Sequence, residues 1–159
     1  MRRLLAMMVL ALVLPAEAQN AGQIARVQAG ASCPRCNLFQ ADLTGKTLAR
    51  RNFAGARLRQ ADLSLGTFTG TRFSGADLRD LNGYGALFGH ADFRGADLTH
   101  ASLVGAYLEH ADFARAKLVG VNLSGAELST ARGLTPRQLA EACGDGSTRL
   151  PRGLQLRPC

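Results

Sequence analysis

A bulky apolar residue falls at every fifth position from Leu38 to Leu128, and this pattern covers most of the 159-residue chain. Every one of these positions holds Leu or Phe except Gly83, and the residue two places earlier is most often Ala. A period of five fits neither an α-helix nor a simple strand. It does fit a solenoid in which each coil contains four five-residue units.

A second period, of twenty residues, lies inside the first. Phe recurs at this spacing in two series, Phe53, Phe73, Phe93 and Phe113, and Phe68 and Phe88. Four units per coil place residues that are twenty apart above one another, at the strand spacing of ~4.8 Å. We therefore predict a core of stacked Phe side chains, in which Ala alternates with Leu or Phe because only a small residue fits beside each large one.

The units follow the pattern A(D/N)LxX, for example in Ala41-Asp42-Leu43, Ala61-Asp62-Leu63 and Ala96-Asp97-Leu98. In this they resemble the pentapeptide-repeat family. The resemblance implies an all-β solenoid, a right-handed quadrilateral β-helix of about 4–5 coils with one unit on each face. It also implies that the Leu or Phe and the small residue point inward and the other three residues outward.

Residues 1–18 have the features of a secretory signal. Two arginines precede an apolar run over residues 4–14, and small residues form a cleavage site that ends at Ala18. A membrane anchor is the alternative, but the run is about half of the roughly 20 residues needed to span a bilayer. We therefore predict an exported protein, periplasmic or secreted, with no transmembrane segment after cleavage.

The mature chain divides into three parts. Residues 19–37 form a polar lead, 38–130 the repeat body, and 131–159 a C-terminal cap. In the cap, Thr135-Pro136-Arg137-Gln138 reads as a helix start with a capping box and proline at the first helical position. We predict a short helix over about 136–142, followed by an irregular tail, and expect both ends to cover the open ends of the solenoid.

Two departures from the pattern lie at inner positions. Gly83 replaces a Leu, but Leu81 replaces the Ala two residues before it, so we expect Leu81 to fill the space. A local bulge over residues 82–85 is the alternative. Lys46 and Arg51 stand where small inner residues belong, so we expect their charged ends to reach water and the first coil to be distorted.

The four cysteines fall into two pairs, Cys33/Cys36 and Cys143/Cys159, at opposite ends of the repeat body. That separation argues against a single four-ligand metal site. A redox Cys-x-x-Cys centre needs a helix N-terminus to lower its thiol pKa, and none is predicted there. In an exported protein we favour two local disulfides.

The three histidines, His90, His100 and His110, share one repeat position. The coil of twenty stacks His90 on His110 and places His100 on the opposite face. Two ligands on a flat, wet face make a poor metal site. We therefore predict neither a bound metal nor a cofactor, and keep His90 and His110 as weak metal candidates.

The chain carries a formal net charge of +7, which falls to +6 without residues 1–18 because 17 basic and 11 acidic residues remain. The repeat body is nearly neutral, so the excess lies at the ends. Arg50, Arg57 and Arg59 lie in a stretch without acids, and we regard them as a basic patch for anionic lipid or polysaccharide.

Exposed apolar residues gather on two neighbouring faces. Leu87 and Tyr107 are expected to stack on one face, and Leu65, Tyr84 and Val104 to line the next. We interpret this strip as a surface for a protein partner or for self-association.

Stacked carboxylates such as Asp92 and Asp112 are best explained as the outward polar position of the repeat. No concave pocket and no nucleophile beside a base is apparent, so we do not expect an enzyme. Some members of the family mimic DNA through an acidic, elongated surface and act on DNA gyrase. This chain differs from them in charge sign, length and export signal, so neither that role nor nucleic-acid binding is expected. The leading hypothesis is an exported scaffold, and the alternative is an electrostatic binder of anionic envelope surfaces.

Overall fold

The computed structural model describes residues 19–159, so the predicted secretory signal lies outside the described residues. Through the repeat body, successive coils pair in parallel by single-residue bridges between positions twenty apart, from Asn37–Arg57 to Asp112–Arg132. Four longer elements are present in the described part, namely α1 (Ala21–Gln28), α2 (Pro136–Ala140), β1 (Cys143–Gly144) and β2 (Arg157–Pro158). None of the helices within 19–159 is long and apolar enough to cross a membrane.

Each five-residue unit combines one extended segment with one tight turn. In the first unit the Ala41 N–H donates to the Leu38 carbonyl at 3.0 Å, and Gln40 between them has a φ of 54°. A positive φ at the third turn position is the requirement of a type II turn. The extended segment then pairs with the next coil, where the Leu43 N–H donates to the Asp62 carbonyl at 2.8 Å. A sharp turn after every extended segment gives the coil its four sides.

We number the four faces by the inner residues at their centres. Face 1 is centred on Leu38, Leu58, Leu78, Leu98 and Leu118; face 2 on Leu43, Leu63, Gly83, Leu103 and Leu123; face 3 on Leu48, Phe68, Phe88, Leu108 and Leu128; and face 4 on Phe53, Phe73, Phe93 and Phe113. All of these residues are buried. They form one continuous core along the solenoid axis.

The Phe side chains stack within and between faces. On face 4 the ring centroids of Phe73 and Phe93 are 5.3 Å apart and those of Phe93 and Phe113 are 5.1 Å apart. Phe88 of face 3 meets Phe93 edge-on, with centroids 5.4 Å apart and planes at 69°. Offset-stacked and edge-to-face pairs are the arrangements that aromatic rings favour. The two series of Phe residues therefore share one aromatic cluster.

The backbone keeps its regular pairing at both departures from the repeat. The Gly83 N–H donates to Ser102 at 2.7 Å and the Gly85 N–H to Val104 at 2.9 Å, so the alternative of a local bulge is wrong. Lys46 and Arg51 are exposed, as expected. Their carbonyls still accept the bonds that the ladder requires, at 2.8 and 2.9 Å, so the predicted distortion of the first coil is wrong. The side chains turn outward without displacing the backbone.

Helix α1 covers the N-terminal end of the solenoid and was not predicted. Asn20 caps it by accepting from the Gln23 N–H, and Ile24 and Val27 are buried against the core. The signals were an N-cap residue and two apolar residues three apart, which are too few to establish a helical period.

The C-terminal segment adds an irregular coil. Helix α2 has the predicted Thr135 cap and capping box but ends at Ala140, two residues earlier than expected. The tail was predicted to be irregular, yet Cys143 pairs with Asn122, and β1 pairs in parallel with β2. The spacing of 21 residues between Asn122 and Cys143, instead of 20, hid this pairing from a search for a strict period.

Candidate interaction surfaces

The Asp and Asn residues of the repeat are occupied by the fold. In each unit the side chain before the central Leu or Phe accepts from the backbone N–H two residues later, as Asp42 does from Thr44 at 3.0 Å and Asn82 from Tyr84 at 3.2 Å. Bridges place Asp42 over Asp62, Asp77 over Asp97 and Asp92 over Asp112. Since these side chains close local turns, they are structural parts of the repeat.

Ion pairs on the faces hold several of these carboxylates in the charged form. Hydrogen bonds from the Arg79 guanidinium lower the pKa of Asp77, and those from Arg94 lower the pKa of Asp92. Both pairs are bidentate, with N···O distances of 2.7–2.8 Å. A general acid at neutral pH needs a raised carboxyl pKa, so these shifts run opposite to what acid catalysis requires.

The exposed apolar residues form a strip on faces 2 and 3. Leu65 is 63% exposed and Tyr84 53% on face 2, while Leu87 and Tyr107 are 45% and 41% exposed on face 3, where a bridge pairs them. Val104, which was placed in the strip from the sequence, is only half-exposed. We define the apolar strip as Leu65, Tyr84, Leu87 and Tyr107.

A shallow groove opens beside the strip on face 3. It encloses about 250 Å³ and is lined by Thr69, Leu87, Gly89, His90, Tyr107 and Glu109. Its floor is Gly89, where an added Cβ would meet Thr69 and Tyr107 at 3.9 Å. A hydrogen bond with the Glu109 carboxylate raises the pKa of Tyr107. The sequence analysis missed Gly89, although its place below Glu109 follows from the coil of twenty.

The histidines lie where the coil of twenty places them. The rings of His90 and His110 stack on face 3 with centroids 4.7 Å apart, while His100 lies on the opposite face 1. Among residues 19–159, no group of three or more His, Cys, Asp or Glu side chains is arranged to hold a metal ion.

The basic patch assembled from the sequence is divided between faces. Arg57 and Arg59 lie on face 1, where Arg57 stands 5.7 Å from the centroid of the Phe39 ring and Arg59 is 3.5 Å from Asp80. Arg50 lies on the opposite face 3, so the three residues do not form one surface.

A different group of cations lies together on faces 3 and 4. It consists of Lys46, Arg50, Arg51 and Arg72, all exposed, and the Arg72 N–H donates to the Arg51 carbonyl at 2.9 Å. None of the four forms an ion pair with a carboxylate of residues 19–159. We call this group the cationic patch. Arg72 was missed as a member because it is twenty-one residues from Arg51 in sequence.

Both cysteine pairs are placed for disulfides at the ends of the solenoid. The Cα atoms of Cys33 and Cys36 are 5.5 Å apart and those of Cys143 and Cys159 are 4.8 Å apart, within the usual range for a disulfide. The second pair joins β1 to the end of the chain.

Comparison with known proteins gives matches along most of the solenoid. The family model for pentapeptide repeats matches residues 41–80 and 91–129, in eight copies. The interval between the two matched ranges contains the exchanged Leu81 and Gly83. No curated protein matches the chain.

Two solved structures are similar to the chain. The first is HetL, a pentapeptide repeat protein involved in heterocyst differentiation regulation from the cyanobacterium Nostoc sp. strain PCC 7120, at 30% identity and a TM-score of 0.43, covering 82% of this chain and 62% of HetL. The second is a pentapeptide repeat protein from the Arabidopsis thaliana thylakoid lumen, at 31% identity and a TM-score of 0.31, covering 69% of this chain and 58% of that one. The chain therefore spans less than two thirds of the length of either protein.

Proposed function

Because the chain belongs to the pentapeptide-repeat family, whose members fold as right-handed quadrilateral β-helices, we propose that it is a non-enzymatic, exported scaffold that binds a protein partner through the apolar strip. The observation that carries this proposal is the contiguity of Leu65, Tyr84, Leu87 and Tyr107 on two adjoining faces. The next exposed large apolar residue among those described, Val119, lies apart on face 1.

The groove beside the strip supports the same proposal. Interfaces concentrate their affinity in aromatic anchors and in pockets that exclude water. Tyr107 is a rigid aromatic residue at the edge of such a pocket, and Gly89 keeps the pocket open. A protein partner that inserts one apolar side chain over Gly89 would cover the strip on either side.

The test compares matched surface variants. Tyr107→Ser removes an apolar side chain that is 41% exposed within the strip, and Val119→Ser removes one that is 39% exposed outside it. We expect cross-linked complexes from an envelope extract to disappear with Tyr107→Ser and to persist with Val119→Ser. Retention of the same complexes by Tyr107→Ser would refute the role of the strip. Sedimentation velocity of the purified protein distinguishes self-association from a different partner.

The cationic patch supports a second candidate function, the binding of an anionic envelope surface. Four exposed cations without a carboxylate partner in the described part of the chain attract phosphate or carboxylate groups. Each Lys or Arg near an anionic membrane contributes about 1 kcal/mol. The remaining arginines at the chain ends add to the same attraction.

Vesicle binding tests this candidate. Gln already occupies the corner position of Arg50 elsewhere, at Gln40 and Gln60, so Arg50→Gln suits the backbone. The Arg50→Gln/Arg51→Gln variant should lose roughly thirtyfold in partition onto acidic vesicles, by about 1 kcal/mol per residue. The control Arg137→Gln/Arg152→Gln removes the same charge at the other end. Equal losses in both variants would show that only net charge matters and would remove the patch from consideration.

A further inference from the structure

His90 and His110 form a pair that the other corner positions of face 3 do not repeat. This corner column runs Arg50, Gly70, His90, His110 and Thr130. Both histidines have a φ of 58°, so their side chains leave the backbone in the same direction. Both are exposed, and their rings lie 4.7 Å apart with planes at 26°. Two imidazoles are thus held side by side by the ladder and face solvent.

We propose that His90 and His110 form a surface site for a divalent transition-metal ion, with one imidazole nitrogen from each residue as the protein ligands. Zn²⁺ and Cu²⁺ are the ions that imidazole ligands suit best. Metal–nitrogen bonds of ~2.0–2.1 Å in a tetrahedral site bring the two nitrogens to about 3.4 Å. Rotation of the two exposed side chains is sufficient to close the pair from its stacked position.

Water completes the coordination, because no third side chain joins the two histidines in the described residues. Glu109 lines the groove next to His90, and the Tyr107 hydroxyl is hydrogen-bonded to its carboxylate. This carboxylate lies near the ion without being a required ligand, and it lowers the electrostatic cost of bringing a dication to the surface. The disulfide-paired cysteines are at the ends of the solenoid and do not compete for the ion.

His100 provides an internal control. It occupies the same repeat position with a φ of 59°, but on face 1, and the residue twenty places later is Gly120. The His100 ring lies over that glycine. His100 therefore has the exposure and backbone of the other two histidines and lacks a second imidazole in its column.

Calorimetric titration with Zn²⁺ tests the proposal on the untagged protein with both disulfides intact. The variants are His90→Asn, His110→Asn and His100→Asn, because Asn tolerates a positive φ. We expect one Zn²⁺ per chain in the unaltered protein, with Cu²⁺ binding more tightly. Loss of either paired histidine should weaken Zn²⁺ binding by at least about tenfold, since removing even an outer-sphere partner costs that much. His100→Asn should leave the affinity unchanged.

Two results would overturn the proposal. The first is an unaltered protein that binds Zn²⁺ no more tightly than His90→Asn does. The second is a loss in His100→Asn equal to that in the paired variants, which would indicate independent single-histidine binding. Thermal melting of each variant, expected to match the unaltered protein, verifies that the comparison is between folded chains.

Discussion

Leu81 and Gly83 have exchanged the sizes that the repeat assigns to their two positions. Leu81 stands at a small-residue position and is only 2% exposed. Gly83 stands at a Leu position, and a Cβ added there would lie 2.8 Å from Leu103 Cδ2 and 3.2 Å from Phe88 Cε2. The Leu81 side chain thus occupies the volume that a residue at position 83 would otherwise need.

This exchange predicts that substitutions at the two positions are coupled. Gly83→Leu alone should cost roughly 1–3 kcal/mol from overpacking, and Leu81→Ala alone about 2–5 kcal/mol from the cavity it leaves. The double variant restores the common repeat, so its loss in free energy of unfolding should be smaller than the sum by at least about 1 kcal/mol. Urea unfolding measures all three, and additive losses would contradict the exchange.

Phe93 is the most densely surrounded ring in the aromatic cluster. It stacks between Phe73 and Phe113 and meets Phe88 edge-on. Phe93→Ala should reduce the free energy of unfolding by about 3–5 kcal/mol, because the coils on either side cannot collapse into the gap. The control Tyr84→Ala, on the surface, should stay within about 0.5 kcal/mol. A similar small loss in Phe93→Ala would show that the stack contributes little.

The core and the order of the faces could be predicted because every coil repeats the same contacts. Once the period of twenty is known, the neighbour of Phe73 must be Phe93, and that of His90 must be His110. The same reasoning explains why Leu81 was expected to be buried. Where the period is strict, sequence spacing is equivalent to position in space.

The surface was harder to predict because exposed side chains choose among several neighbours. Arg57 and Arg59 were grouped with Arg50 from their closeness in sequence, yet a ring and a carboxylate of neighbouring coils engage them on another face. The ends were hard for a different reason. Helix α1 shows only two buried apolar residues, Ile24 and Val27, and the last coil breaks the period by one residue.

Acid should destabilise the solenoid through its paired carboxylates. The pKa of Asp77 is lowered by Arg79 and that of Asp92 by Arg94, below the ordinary value of 3.8. A group whose pKa is lower in the folded chain adds stability above its unfolded pKa of ~3.9, and this stability is lost as the pH falls through the folded value. The melting temperature should therefore be flat from neutral pH to about pH 5 and fall below about pH 4.

Asp92→Asn isolates one of these groups. Asn accepts the same backbone hydrogen bond in this repeat position, as Asn82 does from Tyr84. The variant should therefore keep the turn, melt earlier than the unaltered protein at pH 7, and show a shallower fall in acid. An acid fall as steep as that of the unaltered protein would assign the effect to other carboxylates.

The Cys143–Cys159 disulfide should control fraying of the C-terminal coil without affecting the repeat body. It joins residues 16 apart in sequence and holds β2 against β1, and a loop of this length is stabilised by roughly 3 kcal/mol. Because each coil of a solenoid contacts only its neighbours, Cys143→Ser/Cys159→Ser should let trypsin cut first at Arg149 and Arg152 while residues 38–130 resist. The Cys33→Ser/Cys36→Ser control should leave the tail protected, since that pair lies at the other end. Equal protection of the tail with and without the second disulfide would mean that packing of Leu139 and the β1–β2 pairing alone hold the last coil in place.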